Sequence, residues 1–128
     1  MTNSLIKNIE NDRFAKLCGI RIIQIESDYA KIEMKITDNH LNGVHSVHGG
    51  AIFTLADYAF AAASNSNGLT TVGINANIAY YKSPTGKCLT AEATKIAGQN
   101  KICGYNVDIY DEDDEIIARF SGMGYIKR

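Results

Sequence analysis

The stretch from Asn42 to Asp57, NGVHSVHGGAIFTLAD, gathers the groups that chemistry on a carbonyl needs. His48-Gly49-Gly50 stands where a long apolar helix must begin. The first turn of a helix leaves backbone N–H groups without internal acceptors, and the helix dipole is positive there. Glycine lets a ligand approach that backbone closely. An N–H aimed from Gly49 can therefore hold a carbonyl oxygen as it gains negative charge. The plainer alternative is a helix start that needs glycine only for its turn. Asp57 lies inside the apolar helix, flanked by Leu55, Ala56, Tyr58, Ala59 and Phe60. An ionised carboxylate is costly to bury without a partner. One kept in such a place suits a general base or a nucleophile, unless it shares a solvated stripe with Thr54, Tyr58 and Ala61. Asn42 and His48 can each donate to a carbonyl or orient a water, or else stabilise their own loop.

Geometry adds a constraint. Gly49 and Asp57 are eight residues apart, which on a helix is roughly 12 Å along the axis. A base and an oxyanion donor must both come within about 3 Å of the reacting group or its water. One copy of this helix can hardly serve one carbonyl with both. Two antiparallel copies can, because the start of one then faces the middle of the other. The expected site lies at a subunit interface, and a half-covered apolar helix supplies the reason to dimerise.

The elements around this stretch follow from periodicity. Apolar spacing predicts a helix over 3–17, ended by Gly19. Strands are expected over 20–26 and 29–36, joined by a tight turn at Ser27-Asp28, with Ala30, Ile32, Met34 and Ile36 on one face. A loop of about twelve residues without clear period then leads to the helix, long enough to suggest function. That helix runs from Gly50 to about Asn65 and is apolar nearly all round, so it is expected to be buried on most sides. Further strands are expected near 70–81, 88–97, 101–110 and 115–126, with the acidic run Asp111–Asp114 as a solvated hairpin tip. The order predicts an α+β fold: one antiparallel sheet of about six strands around a single central helix, in one domain over 1–128.

Composition narrows the classes. The chain has 128 residues, 45% hydrophobic and 21% charged, which is enough for one core without metals or disulfides. A net charge of −1 gives no electrostatic reason to bind nucleic acid or an anionic membrane. No apolar run approaches the roughly 20 residues that span a bilayer, and the start lacks a signal-peptide pattern. A cytoplasmic protein is expected. Cys18, Cys88 and Cys103 are odd in number and lack metal-finger or CxxC spacing, so they read as small, mostly buried, reduced residues. The spacing of His40, His45 and His48 fits no common metal site, and no metal is expected.

In combination, Asn42-Gly43, His48-Gly49-Gly50, Leu55-Ala56-Asp57, Asn65-Ser66 and Tyr81-x-x-Pro84 resemble the PaaI-type phenylacetyl-CoA thioesterases of the hotdog superfamily. The resemblance covers nearly the whole chain from about residue 12. It implies the hotdog fold and hydrolysis of a small, phenylacetyl-like acyl-CoA to the free acid and CoA. It implies Asp57 as the catalytic carboxylate, base or nucleophile, and the Gly49 N–H as oxyanion donor, with Gly50 beside it in substrate binding. His48 and Asn42 would position the thioester or the water from the subunit opposite Asp57. Some relatives hold the water with Ser or Thr on the strand after the helix. Here that strand reads Val72-Gly73-Ile74-Asn75, leaving Asn75 or Thr71 as the stand-in. CoA phosphates need basic partners. Lys82, placed with substrate binding, and Lys87, Lys101, Arg119, Lys127 and Arg128 are candidates by charge. The resemblance implies a homodimer as catalytic unit and a homotetramer overall, with no cofactor beyond the CoA of the substrate. Two alternatives remain open: a dehydratase or hydratase using His48 or His45 with Asp57, and a non-catalytic acyl-CoA-binding module. His48 beside Gly49 favours hydrolysis over the first, and Asp57 argues against the second.

Overall fold

A computed structural model describes residues 4–127; the first residue of the helix expected over 3–17, and Arg128, lie outside them. Among the described residues the chain forms α1 (Ser4–Glu10), α2 (Arg13–Leu17), β1 (Ile20–Glu26), β2 (Tyr29–Lys35), a 3-10 turn (Asp38–His40), α3 (Gly49–Ser64), β3 (Thr71–Tyr80), β4 (Cys88–Gln99), β5 (Ile102–Tyr110) and β6 (Ile116–Ile126). The strands make one antiparallel sheet in the order β1-β2-β4-β5-β6-β3. It curls around α3, and the expected α+β hotdog architecture is what the chain adopts.

Alternation decides which sheet face meets the helix. Ala30, Ile32 and Met34 are fully buried while Lys31, Glu33 and Lys35 face out, as a period of two requires. Along α3, Leu55, Ala56, Ala59, Ala62 and Ala63 have no exposure. Small alanines bring the helix close to the sheet, and Phe60 then fills the gap, with ring contacts to Tyr105 and Phe120 at 5.7 and 6.1 Å. The sheet makes room for it. A Cβ at Gly122 or Gly124 of β6 would meet the Phe60 ring at 3.1 or 3.3 Å. Truncating Phe60 would leave a cavity costing roughly 3–5 kcal/mol.

Two expectations are corrected here. The N-terminal helix is not one piece. It breaks at Asn11-Asp12, because the Asp12 carboxylate accepts the Ala15 N–H at 2.9 Å and caps a new helix, α2. The acidic run is not wholly a solvated tip either, since Asp111 is only 4% exposed. The cysteines are all free; Cys103 is buried, whereas Cys18 and Cys88 are half-buried.

The far end of α3 is closed off thoroughly. Asn65 donates through Nδ2 to the Ala61 carbonyl at 2.8 Å and accepts the Thr71 N–H on Oδ1 at 2.8 Å. The edge strand β3 is left open, with Val72 at 40%, Ile74 at 53% and Tyr80 at 49% exposure. No helix among the described residues is long and apolar enough to cross a membrane.

Candidate active site

The start of α3 is built by its cap. His48 sits in extended backbone as N-cap, and its Nδ1 accepts the Gly50 N–H at 2.8 Å. An imidazole nitrogen accepts only without a proton, so the neutral ring carries its proton on Nε2. The His48 carbonyl takes the Ala51 and Ile52 N–H groups at 2.9 and 3.2 Å. Three of the first-turn donors are thus used, and the Gly49 N–H meets no acceptor among the described residues. This free donor sits at the positive end of the helix dipole. Beside it, the Tyr80 hydroxyl donates to the Gly49 carbonyl at 2.9 Å. Burial raises the Tyr80 phenol above its ordinary range, so it stays protonated and able to donate. A Cβ at residue 49 would meet the Tyr80 ring and hydroxyl at 3.3 Å, so this backbone approach suits glycine. A cleft of about 330 Å³ opens here, lined by Gly49, Ile52, Tyr80, Lys82 and Ser83 among others. A second, of about 410 Å³, lies on the other flank against His48, Gly50, Ala51, Thr54, Phe14 and Leu41.

Asp57 sits two turns further along, on the open side of α3. Its carboxyl accepts no hydrogen bond among the described residues. Desolvation by its surroundings raises its pKa above the ordinary carboxylate range, and the negative charge of Asp12 adds to the rise. It lines a small cavity of about 100 Å³ with Asp12, Phe14, Thr54 and Tyr58. Neither cleft at the helix start includes Asp57. The two devices therefore stand apart within one chain, as the helix rise requires.

The other expected residues divide. Asn42 accepts the Val44 and Ser46 N–H groups on Oδ1 at 2.9 and 3.1 Å, which shapes the loop. Its amide NH₂ has no acceptor among the described residues and stays able to donate. Thr71 is spent: its hydroxyl bonds the Ser64 and Leu69 carbonyls at 3.0 and 3.2 Å, at the far end of α3. Asn75 falls on the wrong face. It pairs with Met123, whereas the neighbouring Ala76 pairs with Gly122, whose side-chain position meets Phe60 of α3. Cross-strand partners share a face, so Asn75 points away from the helix, and a bulge between Gly73 and Asn75 sets that phase. Neither can hold a water beside α3.

Lys82 lines the first cleft, but its Nζ lies 3.4 Å from both Asp111 and Glu115. Arg119 is paired with Asp108 at 2.6 Å. Lys101 stands over the Tyr125 ring, and Lys127 donates its N–H to Thr70 before β3, both toward the far end of α3. Lys87 is exposed next to the β3–β4 loop. The three histidines are not brought together. His45 is exposed at φ 63°, and His40 is 7% exposed, donating from Nε2 to the Cys18 carbonyl at 2.7 Å while Nδ1 accepts the Thr37 N–H at 2.9 Å. His40 also takes the His48 N–H on its own carbonyl at 2.7 Å, fixing the approach to the cap. Tyr80 is the site residue that sequence reasoning passed over. Its signal was the alternation of β3, which puts Tyr80 on the same inner face as Ile78.

Comparison with known proteins speaks to the family and the fold. A sequence model described as Thioesterase superfamily matches residues 45–118. The acyl-coenzyme A thioesterase PaaI of Escherichia coli K12 is 39% identical over 118 residues, covering 91% of this chain and 84% of that one. The solved structure of the E. coli PaaI protein from the phenylacetic acid degradation operon superposes with a TM-score of 0.91 at 34% identity, over 95% of this chain and 89% of that one. A mutant of the phenylacetic acid degradation protein PaaI from Thermus thermophilus superposes with a TM-score of 0.84 at 25% identity, over 89% and 98%.

Proposed function

This chain belongs to the thioesterase superfamily, and from that premise we propose that it hydrolyses the thioester of a small acyl-CoA, phenylacetyl-CoA among them, in the cytoplasm. The observation that carries the mechanism is the Gly49 N–H, free of acceptors at the positive end of α3. The thioester carbonyl oxygen binds there. Asp57 of the facing protomer, ionised, takes a proton from water as its oxygen adds to the carbonyl carbon, or adds to that carbon itself to form a mixed anhydride that a water hydrolyses once CoA has left, freeing the acid and restoring the carboxylate. The oxyanion forms against Gly49 N–H and the helix dipole. Its collapse breaks the C–S bond, and CoA leaves as the thiol after gaining a proton. The Asn42 NH₂ and the exposed His48 Nε2–H are left to position the thioester or the water. Residues on both protomers take part, so a homodimer is the catalytic unit. The open β3 edge offers a pairing surface for it, and the exposed Ile96, Ile102 and Met123 on the outer sheet face offer one for a homotetramer.

Thiol release from phenylacetyl-CoA and a panel of small acyl-CoAs tests the reading. Wild type turns over, and Asp57→Asn falls by about 100-fold or more, the weight of a general base. Equal turnover by the variant would make the carboxylate structural. Loss of water from a 3-hydroxyacyl-CoA without free thiol would make the enzyme a dehydratase. Sharing of the site is tested by mixing subunits. Gly49→Pro removes the N–H at a position where helices accept proline, the Tyr80 ring 3.3 Å from the new Cβ having to give by a few tenths of an ångström. Re-annealed with Asp57→Asn, it should recover about a quarter of wild-type turnover, since half the dimers would be mixed and each would hold one intact site.

A further inference from the structure

The break between α1 and α2 places a second carboxylate close to Asp57. Asp12 is the residue at the break, and its Oδ1 is fixed by the Ala15 N–H at 2.9 Å. The segment is pinned onto α3 from both sides of the break. The Tyr58 hydroxyl donates to the Ile9 carbonyl at 2.7 Å, and Ala15 is buried at 3% exposure. Asp12 and Asp57 line the same cavity of about 100 Å³, with Phe14, Ala15, Thr54, Tyr58 and Ala61 supplying the rest of its wall. Within that wall no Lys, Arg or His stands between them. The charged groups nearby, Glu10, Lys16 and Arg21, surround the adjoining hollow on the other side of Tyr58. On the sheet side α3 packs against Ile32, Leu89, Val107 and other apolar residues.

Resting on the role of Asp57 given above, we infer that Asp12 is a positioning residue of the active site that acts through its charge, setting the pH range in which Asp57 is an ionised base. Like charges lining one small cavity disfavour the second ionisation. The rise in Asp57 pKa, caused first by desolvation and next by Asp12, has the sign this requires. A base is most effective when its pKa approaches the working pH, so a charge that lifts Asp57 makes it the stronger proton acceptor. The cap and the charge are separable functions of one side chain, because Asn and Ser cap a helix as Asp does.

The test uses Asp12→Asn and Asp12→Ser, with kcat/KM measured against pH. Both should move the acid limb of the profile to lower pH by the order of 0.3 to 1 unit, with melting temperatures near wild type. In wild type the acid limb should move the same way as salt rises from about 0.05 to about 1 M, since screening weakens the coupling. In the variants it should be indifferent to salt. An acid limb unmoved by either substitution, in variants that fold, would reduce Asp12 to a helix cap and overturn the inference. If neither variant folds, an acid limb unmoved by salt in wild type overturns it equally. Carbon-13 titration of the Asp57 carboxyl, in wild type and Asp12→Asn, reads the coupling without activity. A shift there alongside an active Asp57→Asn would sink the catalytic reading and leave the coupling standing.

Discussion

Two carboxylates define the contrast between the middle of α3 and the β5–β6 turn. Asp111 is almost wholly buried, yet five donors converge on it: the Thr85 N–H and hydroxyl, the Asp113 and Glu115 N–H groups, and Lys82. Burial alone would raise its pKa, but the hydrogen bonds outweigh burial and hold it well below the ordinary carboxylate range. Asp57 is more exposed and has no donor among the described residues, and its pKa moves the other way. The difference teaches that donors, not depth, separate a carboxylate that holds the fold from one free to take a proton. Asp111 ties the β3–β4 loop to the β5–β6 turn; Asp57 ties nothing, and its proton affinity is left for chemistry.

The sharpest way to break this contrast is to exchange the readouts. Asp111→Ala strands the Thr85, Asp113 and Glu115 donors, so unfolding stability should fall by about 3 kcal/mol, read by urea titration, while turnover of the folded enzyme stays within about threefold. Asp57→Asn should do the reverse, losing about 100-fold or more in turnover with no loss of stability. A stability loss at Asp57 like that at Asp111 would erase the distinction.

Their pH dependences should have opposite signs. Asp111 has a folded pKa below its ordinary 3.8, so the stability it contributes is present at neutral pH and lost as pH falls through and below that value. The gap between wild type and Asp111→Asn should therefore narrow on acidification. Asp57 has a folded pKa above 3.8, so its ionised form works against folding as pH rises past that value. Asp57→Asn should match wild type in strong acid and gain on it toward neutral pH. Thermal melts between about pH 3 and pH 7 decide both.

Smaller effects sharpen the edges. His48→Ala removes the acceptor for Gly50 N–H, costing about 1 kcal/mol of stability and several-fold in kcat. Tyr80→Phe frees the Gly49 carbonyl from one neutral hydrogen bond, and about a threefold fall in kcat/KM is expected. Lys82→Met should raise KM for acyl-CoA by less than about threefold, because a lysine already shared between Asp111 and Glu115 has little charge to lend a phosphate. A tenfold rise would return Lys82 to the CoA site.

The site was legible in the sequence where chemistry is local. His48-Gly49-Gly50 needed only a helix start to offer a free N–H, and the apolar flanks of Asp57 marked a carboxylate without local partners. It was illegible where the partner comes from another strand. The register of β3 against β6, with its bulge, turned Asn75 outward. Lys82 looked like a free cation until the β5–β6 turn brought Asp111 against it. Asp111 itself looked like a solvated tip because its donors come from residues that only a sheet places together.

What the sequence by itself determined was periodicity: alternation of Ala30, Ile32 and Met34 for the strands, alanines and Phe60 for the buried helix, and glycines where backbone must stay open. These are local rules, written in spacing. What only the tertiary structure decided was pairing: which carboxylate is neutralised by donors, which hydroxyl is already spent, and that the break at Asp12 sets a second negative charge beside Asp57. Pairing depends on register and on a turn of chain arriving from elsewhere, and a period of two or of 3.6 carries no record of either.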